Sequence, residues 1–186
     1  MNLNRRLLLF FPFFFISTLT FAQIEVARYQ NKDFSATGFG AFLNVGIPVA
    51  QNAAITTEAG LYVFVHDDTH VAITPLLLGY RQLLSQEDHG WYAEPLLGYS
   101  FSFTDIQKYD ANGNAIYDAN GNQVDQKMNG PTAGAGFGYL FKRSDGAFPI
   151  QFNIGIRYEH VFASGYPSPN IFALRISHAF SFGRRD

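Results

Sequence analysis

The chain has no cysteine, so it forms neither a disulfide framework nor a thiolate metal site, and no thiol follows its leader to carry a lipid anchor. It has no basic cluster: 13 Lys and Arg stand against 15 Asp and Glu, a formal charge of −2, which argues against nucleic acid as a partner. It also lacks an apolar run of the roughly 20 residues that a membrane-crossing helix takes. The nearest approach, residues 7–16, is short and is interrupted by Pro12. The mean hydropathy of −0.02 suits a soluble protein, and equally a barrel apolar outside and polar inside. Periodicity therefore has to decide the class.

The N-terminal residues read as an export signal. Arg5 and Arg6 supply a basic start, residues 7–16 the apolar run, and the small Thr20 and Ala22 bracket Phe21 in the −3 and −1 positions. Cleavage after Ala22 makes 1–22 a signal peptide and 23–186 a single mature domain. It removes two arginines and no acid, which takes the formal charge from −2 to −4.

The strongest periodicity lies near the C-terminus. Phe172, Leu174, Ile176, His178, Phe180 and Phe182 fall on one side of a period-two alternation, and Ala173, Arg175, Ser177, Ala179 and Ser181 on the other. The same pattern recurs over 35–47, 54–66, 71–83, 91–103, 132–143 and 150–162. Polar or Gly- and Pro-bearing breaks separate these segments at 48–53, 67–70, 85–90, 105–130, 144–147 and 163–170. Each length fits the roughly 9–11 residues that cross a bilayer as a tilted strand. Trp91 and Phe103 place aromatics at both ends of one apolar face, as the two membrane interfaces require. Seven strands are marked in this way. A closed barrel of this kind takes an even number, so the weakly alternating 23–30 becomes the first.

This pattern resembles the small eight-stranded outer-membrane barrels of Gram-negative bacteria. The resemblance implies an all-β, eight-stranded antiparallel transmembrane up-and-down β-barrel in the cell outer membrane. It also implies that Phe180 and Phe182 form the aromatic signal read by the barrel assembly machinery, although Phe182 is followed by four further residues. Outer-membrane lipid and lipopolysaccharide become the expected surroundings, with a monomer as the expected state and no cofactor.

The phasing turns Glu58, Arg81, Glu94, Lys142, Arg157, Glu159 and Arg175 toward the lumen. Because eight strands enclose a space about filled by side chains, these charges should pair in a polar core and leave no open channel. Arg81 and Glu94 are equidistant from the middle of the 85–90 turn, which sets them opposite each other across a hairpin. Inward Gly134, Gly136 and Gly138 make room for larger neighbours.

Residues 105–130 read as a long extracellular loop with a period-eight repeat, Tyr109-Asp110-x-Asn112-Gly113-Asn114 followed by Tyr117-Asp118-x-Asn120-Gly121-Asn122. Asp-x-Asn-Gly is turn chemistry, and the flanking Tyr, Ile and Val favour extended chain, so a small β-meander is expected. The alternating oxygens bear on calcium, but neither copy has the glycine or the closing Glu of an EF-hand loop. His66, Asp67, Asp68 and His70 read as a solvated loop, with no metal assigned.

The segment around His160, Ser164 and Asn170 loosely resembles the lipid A deacylase barrels, in which a His activates a Ser two residues away. Here that position is Phe162, and Ser164 is four away. The expected role is structural, or one of surface interaction through extracellular loops. A lipid A-modifying hydrolase using His160 and Ser164, or a narrow solute channel, stand as alternatives.

Overall fold

A computed structural model describes residues 20–32, 35–67, 69–110, 112–142, 150–164 and 167–180. Most of the expected signal peptide, Asp68, the 144–147 turn and Phe182 lie outside these residues. The strands are β1 (Thr20–Gln30), β2 (Ser35–Ala50), β3 (Ala53–His66), β4 (Thr69–Leu83), β5 (Gly90–Thr104), β6 (Gly130–Leu140), β7 (Ile150–Val161) and β8 (Asn170–Phe180). Each pairs antiparallel with its sequence neighbours, and β1 pairs with β8 to close the barrel. The weakly alternating 23–30 segment thus lies in the strand that closure needs: Glu25 faces Arg175 and Ala27 faces Ala173 across the β1–β8 seam.

Alternation produces this shape because successive side chains leave a strand on opposite faces. Outside, Leu97, Ile24 and Phe39 are 66–67% exposed, whereas the lumenal Glu25, Glu94 and Glu159 are 0% exposed. Carboxylates inside and leucines outside invert the arrangement of a soluble domain. Trp91 packs on Phe137 and Tyr139 at one end of the belt; Phe103, Phe162 and Phe172 are exposed at the other.

The connections differ in size. The longest, 105–129, emerges at one end, the loop end, while residues 51–52 and 84–89 make turns at the opposite, turn end. Inside, the chain forms two layers. A layer of Glu and Arg fills the middle, and toward the loop end Tyr29, Tyr62, Phe64, Val71, Ile73, Met128 and Ile171 form an apolar cap. Phe42 borders both, and its ring fits because Gly60 opposite has no side chain: a Cβ there would overlap it.

Lys142 corrects the sequence reading. It is exposed, because β6 ends at Leu140, and past the last rung there is no lumen for a charge to enter.

Candidate functional site

Seven side chains from six strands meet in the middle of the lumen. Glu25 (β1), Glu58 (β3), Arg81 (β4), Glu94 (β5), Arg157 and Glu159 (β7) and Arg175 (β8) are all buried. The β4–β5 register that pairs Gln82 with Ala93 and Gly79 with Leu96 brings Arg81 to Glu94, Nη2 to Oε2 at 2.9 Å. Arg175 spans three acids: Nε lies 3.0 Å from Glu25 Oε1, and Nη1 lies 3.4 Å from Glu58 Oε1 and 3.2 Å from Glu94 Oε2. Arg157 does the same from the next strand, with Nη1 at 3.2 Å from Glu25 and 2.5 Å from Glu58, and Nε at 2.5 Å from Glu159. Four carboxylates thus share three guanidiniums, and neutral donors complete the set. Thr56 Oγ1 donates to Glu94 at 2.7 Å, Tyr62 Oη to Glu25 at 2.6 Å, and Asn44 Nδ2 to Glu58.

Two strands bring no charge here: β2, which contributes Asn44, and β6, whose inward residues at this height are glycines. A Cβ at Gly138 would come within 2.8 Å of the Tyr92 hydroxyl, and one at Gly134 within 3.2 Å of the Glu159 side chain. Tyr92 carries Arg81 over its ring at 4.8 Å, a cation–π contact that stabilises the arginine from below. Such a lattice fixes strand register and fills the cross-section. A charge buried without its partner would cost several kcal/mol, so each arginine requires its acids.

Of the residues the sequence points to the lumen, Glu58, Arg81, Glu94, Arg157, Glu159 and Arg175 come together here. Glu25 joins them although it was not picked out. Its signal is present as the single acid on the inward face of 23–30, between Gln23 and Ala27, but it gains meaning only once that segment is paired.

The long loop is no simple meander. Two hairpins, 109–115 and 117–123, and a stem pairing Gln107 with Asp125 meet at one point. There Lys108 N donates to Val124 O at 2.9 Å, Val124 N to Ile116 O at 3.0 Å, and Ile116 N to Lys108 O at 2.9 Å. These residues are spaced by the repeat, and their bonds close a ring, so the loop is a three-armed junction. The cause is its two ends: both must return to the barrel side by side, and so the first and third extended segments pair.

Each hairpin tip is an Asx-type turn. Asp110 Oδ1 accepts from the amides of Asn112 and Asn114, both at 2.8 Å, and Asp118 does the same with Asn120 and Asn122. Gly113 and Gly121 follow at φ 82° and 80°, where glycine is favoured. The Asn114 backbone amide, then its side-chain amide, hold the Asp110 carboxyl below its ordinary value; Asn122 does so for Asp118. The carboxylates are thereby committed to their own turns.

The loop is also tied into the barrel. Met128 is buried in the cap, its Sδ 3.1 Å from the Tyr29 hydroxyl and its amide donating to Ser102 Oγ at 2.6 Å. The Ser102 amide donates to Asn129 Oδ1 at 2.6 Å. At the neighbouring rim Asp105 accepts from the His70 amide at 2.8 Å and meets its ring at 2.9 Å, contacts that lower the Asp105 pKa. His66 lies 3.7 Å from Asp67. No group of three or more candidate metal ligands occurs among the described residues.

His160 and Asn170 are partners on the outward wall, Nδ1 to Oδ1 at 2.9 Å, and the Tyr158 hydroxyl donates to the same oxygen at 2.7 Å. Ser164 is exposed in the following loop. Among the described residues no hydrogen bond joins it to His160.

Inverted burial, eight strands and a charged lumen give this chain the fold of the small outer-membrane β-barrels. Among solved structures it is similar to Neisserial surface protein A (TM-score 0.68, 12% identity, 89% of this chain and 97% of that one). It is also similar to Ail, the attachment invasion locus protein of Yersinia pestis, solved with the heparin analogue sucrose octasulfate (TM-score 0.52, 11% identity, 89% and 97%). No family profile and no curated protein matches the chain.

Proposed function

We propose that this chain is exported by its 1–22 signal, inserted by the barrel assembly machinery, and resides in the outer membrane as a closed, monomeric barrel. It conducts nothing and meets the cell's surroundings through the three-armed loop. The observation that supports this most is the filled lumen. An ionic lattice in the middle and an aromatic cap above it block the bore at two heights, as the small diameter of eight strands favours. The loop-end segments, and 105–129 above all, remain as the parts able to touch a partner. Outer-membrane lipid and lipopolysaccharide surround the belt.

The test begins with the refolded full chain, checked for different migration of boiled and unboiled samples on a gel. Planar bilayers containing it should show no conductance steps, and lipid A incubated with it should keep its mass. Replacing 109–124 by a two-residue turn should leave migration and conductance unchanged while removing any binding to cells. Regular conductance steps would sink the closed-barrel reading, and loss of an acyl chain abolished by His160→Ala would replace it with the hydrolase.

A further inference from the structure

The four carboxylates and three guanidiniums of the lumenal lattice are not served alike. Glu25 meets Arg157 and Arg175 and accepts from Tyr62. Glu58 meets the same two arginines and accepts from Asn44. Glu94 meets Arg81 and Arg175 and accepts from Thr56. Each of the three thus has two cations and a neutral donor. Glu159 has one cation, since its Oε1 lies 2.5 Å from Nε of Arg157, a guanidinium already shared with Glu25 and Glu58. Its Oε2 is buried and takes no hydrogen bond among the described residues.

Nothing packed against Glu159 makes up the difference. On the flanking strands it is paired with Gly134 of β6 and Ile171 of β8, neither of them charged. Across the bore stand Tyr62 and the acids Glu25 and Glu58, while Arg81 is bound to Glu94 and Arg175 to the other three acids. Glu159 is 0% exposed, so water does not serve it from outside. A fourth bare charge in so dry a place is strongly disfavoured, and a carboxyl there is neutralised instead.

The hydroxyl of Tyr62 is the second observation. It lies 2.6 Å from Glu25 Oε2 and 3.3 Å from Glu159 Oε1. A phenol has one hydrogen to give, and the shorter contact takes it. With Glu159 ionised, two oxygens without a hydrogen would face each other across the longer contact. A hydrogen on Glu159 turns that contact into a bond donated to Tyr62 Oη, and the order becomes Glu159 to Tyr62 to Glu25.

We infer that the lumen binds one proton of its own, held on Glu159 and donated to Tyr62. Three guanidiniums and one proton then balance four carboxylates, so the bore carries no net charge at its centre, where charge is costliest in a membrane. The site lies in the bore and is independent of what the long loop touches.

The test is infrared spectroscopy of the refolded full chain at neutral pH, where the C=O stretch of a protonated carboxyl stands apart from the carboxylate bands. Every variant is first checked for heat-dependent migration. The wild type should show such a band. Glu159→Gln, which keeps the shape and needs no proton, should lose it, and Glu87→Gln, at an exposed acid of the 84–89 turn, should keep it. Tyr62→Phe, which removes the acceptor, should shift it. In urea Glu159→Gln should unfold no earlier than the wild type, whereas Glu94→Gln, which takes an acid from Arg81, should unfold at lower urea. A wild type without the band, a band that survives in Glu159→Gln or stays unmoved in Tyr62→Phe, or a Glu159→Gln barrel as weakened as Glu94→Gln would each overturn the proton site.

Discussion

Midway along the barrel the lumen is held by Glu25, Glu58, Glu94, Glu159 and three arginines; a few rungs toward the loop end it is held by Tyr29, Phe64, Val71, Ile73 and Met128. Both layers are buried, and both fill the same bore. They differ in what they tolerate. The lattice is directional: Arg175 serves three acids from three strands, and loss of an arginine leaves buried carboxylates short of a cation. The cap is held mostly by packing, the rings of Tyr29 and Phe64 at 5.3 Å and of Phe42 and Tyr62 at 4.8 Å, so a smaller aliphatic side chain there costs lost packing. Tyr62 joins the two, its ring in the cap and its hydroxyl on Glu25.

Removing a centre of the lattice should therefore have the largest effect. Arg175→Met leaves Glu25, Glu58 and Glu94 short of a cation and should cost about 3–5 kcal/mol, read as the shift in the urea midpoint of the refolded barrel. A cost below that of a cap substitution would erase the contrast. Met128→Ala should cost about 2 kcal/mol, and because it frees the loop stem it should also speed proteolysis within 105–129. Unchanged proteolysis would show that the stem is held by Ser102 and Asn129 alone. Ile73→Val should cost roughly 0.5–1.5 kcal/mol and leave loop proteolysis as in the wild type.

The smallest effect lies outside the bore, at the hairpin tips. Their carboxyls have depressed pKa values when folded, so the contribution of each turn is complete above the ordinary Asp value of about 3.9 and is lost as pH falls through the lower, folded one. Amide shifts of Asn112, Asn114, Asn120 and Asn122 should stay constant from neutral pH to about 4 and move below it. Movement centred above that value would contradict the turn bonds, while the barrel's own amides should stay put throughout.

The fold was legible because a barrel repeats one signal many times. The alternation in 171–182 and 150–162 carries the phase of the whole sheet, and closure supplied 23–30, whose own pattern is weak. The site was legible only where that phase holds. It placed Arg157 and Glu159 inward, but it ran past the end of β6 and carried Lys142 with it, since a period cannot show where pairing stops. Met128 had no signal at all: its place in the cap depends on the path of the loop stem, which no local periodicity records. The loop repeat announced its turns through Asp110 and Asp118, but not the junction, because pairing of Gln107 with Asp125 is decided by the spacing of β5 and β6.

The ring of bonds among Lys108, Ile116 and Val124 has a consequence on the timescale of descent. Every arm begins and ends at the same junction, so removing one eight-residue unit would leave the stem running straight into the remaining arm, and adding one would insert another arm at the same node. Each such change spans a whole number of codons and touches no strand of the barrel. The loop is thus built in eight-residue modules whose number can change without altering a strand of the barrel.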